Sequence, residues 1–321
     1  MRTFLYFFLT LCISVTHARA ADLNRLKEAD NGSFKATDGS TLLYALTEPQ
    51  KLDKGKRYPL VIFLHGAGGR SATRKWDRGK DGGWNFFQTM TEDCYYFMPQ
   101  ANENWSGIGW GTVPYKMKEK PSKQMQRLVE CIEWLIKEKV VDPDRVYVAG
   151  ASMGSMGMWD LVCRRPGLFA AGIACCGGFD ASQAPKIARI KFRIFHGDKD
   201  PWVPIEGSQV MHDALKAAGA DVNFHIYKGR DHFVWGPTFG DKKNLDWLFK
   251  QIRAKSTHPE PEGEKPRVWT SADGRKLTGT LEDKGDDWVK LKIKGKVHTL
   301  KLEKLSREDQ DYLKTHPPLS R

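Results

Sequence analysis

Residues 146–157 read VYVAGASMGSMG, a β-branched and aromatic run that stops abruptly at Gly150-Ala151-Ser152-Met153-Gly154. The pattern predicts a strand, a tight turn and the start of a helix, because small residues two before and two after the serine let strand and helix pass closely. A serine on such a turn is held out of the sheet with its hydroxyl exposed, which makes Ser152 the candidate nucleophile. Alone, the pentapeptide also suits an ordinary glycine-rich turn, so the rest of the chain has to decide.

Apolar runs at 60–64, 95–98, 146–149, 171–175, 192–195 and 222–227 read as strands, with 42–46 as a peripheral one leading inward. The run 60–64, LVIFL, has the continuous pattern of a strand covered on both faces, and Pro99 is expected to close the strand at 95–98. Met125, Leu128, Ile132 and Leu135 recur at helical spacing and predict a helix over 122–139. Further helices are expected from Met153, over 205–218 and over 243–253. Strands alternating with helices imply an α/β fold, a mostly parallel sheet with helices on both faces. Reactive groups in such sheets gather at the carboxyl ends of the strands, where Ser152 and the loops bearing Ala67, Asp200 and His232 all fall.

The 321 residues have room for one large α/β domain and a small companion. Residues 1–20 combine a basic start, an apolar stretch and Ala18-Arg19-Ala20, the pattern of a cleaved secretory signal. The apolar stretch breaks at Thr16-His17, short of the roughly 20 residues a membrane anchor needs. The expectation is therefore a secreted or periplasmic protein matured at Ala20-Ala21, its net charge falling from +12 to +10 as Arg2 and Arg19 leave. Cys94, Cys131, Cys163, Cys175 and Cys176 then remain, spaced like neither a zinc nor a haem site, and most read as small buried apolar residues.

The stretch 256–266, STHPEPEGEKP, is rich in proline and charge and reads as a linker between an α/β domain over 21–255 and a tail over 267–321. In the tail the period changes: 277–281 and 288–293 alternate apolar and polar residues, 297–302 continues loosely, and Ser306 with Asp309 suggests a capped last helix. This is a small β-rich module. Lys290, Lys292, Lys294 and Lys296 share one strand face, which is most often solvated, with an anionic polymer as the alternative ligand.

A serine hydroxyl becomes a nucleophile when a neighbouring imidazole takes its proton and a carboxylate fixes that imidazole's tautomer. Asp200, just beyond a strand end and followed by Val203-Pro204, is favoured as the acid over Asp198, mainly by its match to the hydrolase motif. His232, in a loop after the last strand of the sheet, is the expected base, whereas His65 and His196 read as shaping their turns and His212 and His225 as structural. The order Ser152, Asp200, His232 is that of the α/β-hydrolases. The backbone N–H groups of Met153 and Ala67 are the expected oxyanion donors, with Gly68 as the alternative to Ala67.

Residues 35–253 resemble the secreted α/β-hydrolase esterases, near the feruloyl esterase and polyhydroxybutyrate depolymerase-like group of the dienelactone hydrolase-related superfamily. The resemblance rests on Leu64-His65-Gly66-Ala67-Gly68-Gly69, Pro99-Gln100 with Trp110, Gly150-Ala151-Ser152-Met153-Gly154, His196-Gly197-Asp198-Lys199-Asp200 with Val203-Pro204, and His232 with Trp235. It implies a serine esterase with no metal or other cofactor, the roles falling on Ser152, Asp200 and His232. The tail, from Arg267-Val268-Trp269-Thr270 and Asp273-Gly274-Arg275 to Leu305-Ser306 and Tyr312-Leu313, resembles the small SH3-like SLA-homology domain, known elsewhere for peptide binding. No stacking platform for bases is evident, so nucleic acid is not an expected partner.

Six tryptophans, Trp76, Trp84, Trp105, Trp110, Trp202 and Trp235, follow strand ends on the side where Ser152 should lie. Trp110, Trp202 and Trp235 are the expected substrate contacts; about half of the six should serve only as loop anchors. An exported carboxylic-ester hydrolase, acting on phenolic or acetyl esters of polysaccharides, is the leading expectation. The rivals are a prolyl-oligopeptidase-type serine peptidase, for whose β-propeller the N-terminal region is too short, and a catalytically idle binding protein, against which the full set of reactive residue types stands.

Overall fold

A computed structural model describes residues 30–73, 83–90, 92–109, 111, 113–254, 267–284, 287–293 and 296–315. The leader at 1–20, the linker at 256–266, and Trp76 and Trp110 lie outside the described residues. The strands are β1 (Asp30–Lys35), β2 (Thr41–Thr47), β3 (Tyr58–Leu64), β4 (Tyr95–Gln100), β5 (Val141–Ala151), β6 (Ala171–Cys175), β7 (Lys191–Gly197) and β8 (Val222–Tyr227). The helices of this part are α1 (Gly83–Gln88), α2 (Lys123–Glu138), α3 (Met153–Arg164), α4 (Ala184–Ile187), α5 (Ile205–Ala217), α6 (Trp235–Phe239) and α7 (Lys242–Phe249). The eight strands form one sheet in the order β1-β2-β4-β3-β5-β6-β7-β8. From β4 to β8 every pairing is parallel, and β1 and β2 add an antiparallel edge.

The continuous apolar runs have the expected cause. Along β3, Leu60, Ile62 and Leu64 enter a core shared with α2, α3 and α5, while Val61 and Phe63 enter a second core on the other face with α1, α6 and α7. Burial on both faces leaves no position for a polar residue. Two sequence expectations needed correction at element ends. Strand β4 runs through Pro99 to Gln100; beyond Phe97 only β2 pairs with it, so the missing proline N–H breaks no ladder on the β3 side. The last helix of the sheet ends at Phe249 rather than Arg253, and the short α6 precedes it; Gly240 separates the two, and the Asp241 carboxylate accepts the Lys243 N–H at 2.9 Å to open α7.

Beyond α7 the chain turns at Lys250, and residues 251–253 are clasped to the sheet. Arg253 donates its backbone N–H to the Asp144 carbonyl at 2.9 Å, and its guanidinium meets the Asp144 carboxylate at 3.0 Å. The Tyr147 hydroxyl donates to the Gln251 carbonyl at 2.7 Å. These contacts lie toward the amino-terminal ends of the strands, opposite the loops that carry Ser152, Asp200 and His232.

The described residues divide into two compact units, the second holding Arg164–Gly167 and the residues beyond Arg253. Its strands β9 (Arg267–Thr270), β10 (Lys276–Lys284), β11 (Trp288–Ile293) and β12 (Lys296–Lys301) form an antiparallel sheet in the order β12-β11-β10-β9, followed by α8 (Arg307–Thr315). Trp269, Leu281, Val289, Leu291, Leu305 and Leu313 make its core. Ser306 caps α8 by accepting the Asp309 N–H at 3.3 Å, and the Asp309 carboxylate is further held by Arg267 and the Thr270 N–H, each at 2.6 Å. One acidic residue thus joins the last helix to the first strand of this small unit.

The turn after β5 is the tightest passage in the large unit. A Cβ on Gly154 would lie 1.9 Å from the Leu64 carbonyl oxygen, and one on Gly150 would lie 2.2 Å from that of Gly154. Strand β3, strand β5 and α3 therefore touch backbone to backbone. Gly154→Ala is expected to lower stability by about 2 kcal/mol or more through overpacking, or to prevent folding. A chemical denaturation midpoint equal to wild type would refute this account of the turn.

Candidate active site

Ser152 sits between β5 and α3 at φ 56°, in the left-handed region that few side chains other than glycine adopt. Its N–H donates to the Cys175 carbonyl at 2.8 Å, which binds the turn to β6. Cys176, just past the end of β6, is also left-handed at φ 53° and donates its N–H to the Phe195 carbonyl at 2.8 Å. Adjacent strand ends thus tie one another in sequence, from the serine turn toward the loop after β7.

That loop carries Asp200, whose side chain is fully buried. Its Oδ1 accepts the N–H groups of Trp202 and Val203, each at 2.9 Å, and its Oδ2 accepts His232 Nδ1–H at 2.5 Å. His232 Nε2 lies 2.9 Å from Ser152 Oγ. The structure therefore brings Ser152, His232 and Asp200 into one hydrogen-bonded chain. Asp198 points elsewhere: its Oδ1 accepts the Gly229 N–H at 2.6 Å and stiffens the turn after β8.

Electrostatics follow from this geometry. Burial opposes the charge on Asp200, but hydrogen bonds from His196, His232, Val203 and Trp202 outweigh it and hold the carboxyl well below its usual range. Burial likewise opposes a charged His232, yet its bond to Asp200 dominates and raises its pKa to about 9. Cys176, Sγ donating to the His232 carbonyl at 3.3 Å, stays a thiol because burial pushes its pKa well up. All five described cysteines are buried and unbridged. Cys176, His196 and Asp200 have potential ligand atoms within 4.8 Å of one another, but the Asp200 oxygens are already occupied by N–H donors, so the set does not fit a metal ion.

Residues 51–245 match the family described as phospholipase/carboxylesterase. The chain belongs to that family. Its relatives include esterase YpfH of Escherichia coli, 21% identical over 64% of this chain and 85% of that protein. Dipeptidyl-peptidase 5 of Porphyromonas gingivalis is 27% identical over 52% of this chain, which spans about a quarter of its length (24%). The solved structure of a thermostable esterase superposes with a TM-score of 0.62 at 32% identity, covering 72% of this chain and 64% of that one. The α/β-hydrolase fold is thereby shown, and Ser152, His232 and Asp200 form the candidate site within it.

In this family member the two expected oxyanion donors sit at the ends of paired strands. Ala67 opens a 3-10 turn (Ala67–Gly69) after β3, and Met153 is the first residue of α3, a position whose N–H has no partner within the helix. Leu64 and Gly150 are direct neighbours in the β3–β5 register, which sets the two loops side by side. His65 shapes the first loop: Nδ1–H donates to the Gly66 carbonyl at 2.7 Å and Nε2 accepts the Ala101 N–H at 3.0 Å. Trp105, fully buried, donates its indole N–H to the His65 carbonyl at 3.1 Å. It is a loop anchor and not a wall of the site.

Trp202 and Trp235 each meet the His232 ring edge to face, with centroids 5.4 Å away. Phe233, which sequence reasoning passed over, completes the group at 5.1 Å from Trp202 and 4.9 Å from Trp235. Trp202 and Phe233 keep 54% and 50% of their surface exposed beside His232. The signal that could have found Phe233 was its place immediately after His232, in a loop that already carried one aromatic.

Burial lowers the His65 pKa from 6.5 to about 4, against the opposing bond to the Gly66 carbonyl. A base with a depressed folded-state pKa binds fewer protons folded than unfolded between those two values. Its contribution to stability is full above pH 6.5 and diminishes as pH falls toward 4. Thermal denaturation should show a Tm that declines over this window, and a His65→Gln variant should show a shallower decline. Identical pH slopes for both proteins would contradict this reading of His65.

Proposed function

We propose that the chain is an exported serine carboxylic-ester hydrolase working through an acyl-enzyme. One observation carries the reading: a serine in a left-handed turn whose Oγ lies 2.9 Å from an imidazole, that imidazole being bonded in turn to a buried carboxylate at 2.5 Å. The residues cover every proton movement the reaction needs. His232 takes the Ser152 proton as Oγ attacks the ester carbonyl, and Asp200 stabilises the imidazolium formed. The N–H groups of Ala67 and Met153 are assigned to the developing oxyanion, each such donor being worth about 3 kcal/mol of transition-state stabilisation. His232 then protonates the leaving alcohol, and the same base activates the water that releases the acid. Because His232 must begin neutral, activity falls as pH drops through its raised pKa.

The substrate reading is an ester with a planar or ring-shaped group, such as a hydroxycinnamoyl or acetyl ester of a polysaccharide, in preference to a long-chain lipid. Its support is the exposed Trp202–Phe233 pair against His232, since aromatic faces add stacking to simple burial. Export rests on the character of residues 1–20, and no helix among the described residues is long and apolar enough to cross a membrane. The second unit is assigned an SH3-like role in binding a peptide or an anionic polymer. There the outward positions Trp288, Lys290 and Lys292 alternate with buried Val289 and Leu291. A peptidase reading draws on the similarity to dipeptidyl-peptidase 5.

Ser152→Ala should lower ester hydrolysis by at least about 10⁴-fold with the fold intact, and a fluorophosphonate should label only the wild type. Persistent labelling of the variant would overturn the nucleophile assignment. Among substrates, kcat/KM for methyl ferulate or acetylated xylan should exceed that for p-nitrophenyl palmitate, and a clear win for palmitate would remove the substrate reading. A dipeptidyl-anilide hydrolysed faster than every ester would favour the peptidase. Trp202→Ala should raise KM for methyl ferulate by about 3- to 10-fold, the worth of one aromatic contact, and leave KM for p-nitrophenyl acetate nearly unchanged. Equal effects on both esters would deny Trp202 a part in ring recognition.

A further inference from the structure

His196, the penultimate residue of β7, has no solvent exposure, and its ring meets the same Asp200 oxygen as His232 does. Its Nε2 is 3.1 Å from Asp200 Oδ2 and 3.0 Å from the Val203 carbonyl oxygen. Both of those atoms only accept hydrogen bonds, so Nε2 carries the proton. Nδ1 is then the acceptor, and its partner 2.8 Å away is the hydroxyl of Ser208, in the first turn of α5. The two acceptors thus set the tautomer: Ser208 donates to Nδ1, and the Nε2–H is shared between the Asp200 carboxylate and the Val203 carbonyl.

We propose that His196 is a positioning residue of the reaction: its Nε2–H, oriented by Ser208, fixes the rotation of the Asp200 carboxylate and shares Oδ2 with His232. The inference rests on the catalytic reading of Ser152, His232 and Asp200. Oδ2 receives two imidazole N–H groups and Oδ1 two backbone N–H groups, so the carboxylate has no free lone pair with which to turn. Sharing also moderates the charge that His232 feels. Without His196, Oδ2 would serve His232 alone; the imidazolium would gain stability and the acidic limb of the pH profile would move up.

The other titratable groups facing Asp200 do not blur that readout. Cys176 lies in the same cluster and burial keeps it a thiol. Tyr115 feels the Asp200 and Glu206 charges, and burial with those charges pushes its pKa to about 12. The acidic limb therefore reads the His232–Asp200 pair.

The test is kcat and KM for p-nitrophenyl acetate across pH, on the full chain, in four proteins: wild type, His196→Leu, His196→Gln and Ser208→Ala. Outer partners of metal-bound histidines are worth roughly 10- to 100-fold in activity, and a loss of kcat of that order is expected for His196→Leu, with KM within about twofold. Its acidic limb should rise by about one pH unit, the size of one lost charge-assisted hydrogen bond. His196→Gln, whose amide N–H reaches the same oxygen, should recover most of kcat and the wild-type limb. Ser208→Ala should lose kcat by about 3-fold and move the limb in the same direction, since it removes one neutral hydrogen bond. Equal losses in His196→Leu and His196→Gln with an unmoved limb would reduce His196 to packing and overturn the proposal. So would wild-type kinetics in His196→Leu or, where that variant does not fold, in Ser208→Ala. Active Ser152→Ala would instead sink the underlying site reading, which keeps the two failures apart.

Discussion

The close passage of three backbones beneath Ser152 is the constraint on which the rest depends. Side-chain-free contact at Gly150 and Gly154 lets α3 leave the sheet within one residue of the end of β5, and only that sharp exit holds Ser152 at a positive φ. Strain of this kind, about 1–3 kcal/mol, survives only where neighbours over-determine the conformation. Here they do so through the Ser152 N–H bond to Cys175 and the Cys176 N–H bond to Phe195. Ser152 is thus the first link in a chain of strand-end ties that finishes at the loop bearing Asp200.

A second economy concerns charge. The Asp200 side chain has no solvent exposure, and a lone buried carboxylate would protonate. Four N–H donors prevent this, two from the backbone turn after β7 and two from imidazoles. The loop residues Trp202 and Val203 hold the anion through their backbones, while the Trp202 ring also meets the His232 ring edge to face. Electrostatic stability and the shape of the entrance come from the same four-residue turn.

Much of this was legible in the sequence, and the parts that were not share a cause. The strands covered on both faces announced themselves as unbroken apolar runs, and Ser152, Asp200 and His232 stood at strand ends in a telling order. The choice of Asp200 over Asp198 came from a motif; the physical reason, that Asp198 faces the Gly229 N–H, belongs to the turn geometry. His196 was read as a turn former because four residues around a tight turn give no outward sign that a side chain folds back onto the carboxylate. Phe233 was passed over for a related reason: strand-end position says which side of the sheet a ring lies on, not whether it faces inward or outward. Element ends, as at Pro99 and Phe249, depended on which neighbour was present to pair.

The clasp of Arg253 on Asp144 has a mechanical meaning. Whatever pulls on the chain beyond residue 254 loads this ion pair, its accompanying backbone bond and the Tyr147 anchor on Gln251. All three deliver force into the amino-terminal end of β5, along a strand buried between two parallel neighbours. Ser152 stands at the opposite end of that strand, the Arg253 clasp acting as a strain relief of the sort fitted where a cable enters a housing. A load on the chain after residue 254 therefore meets the Arg253–Asp144 clasp before it reaches the Ser152 turn.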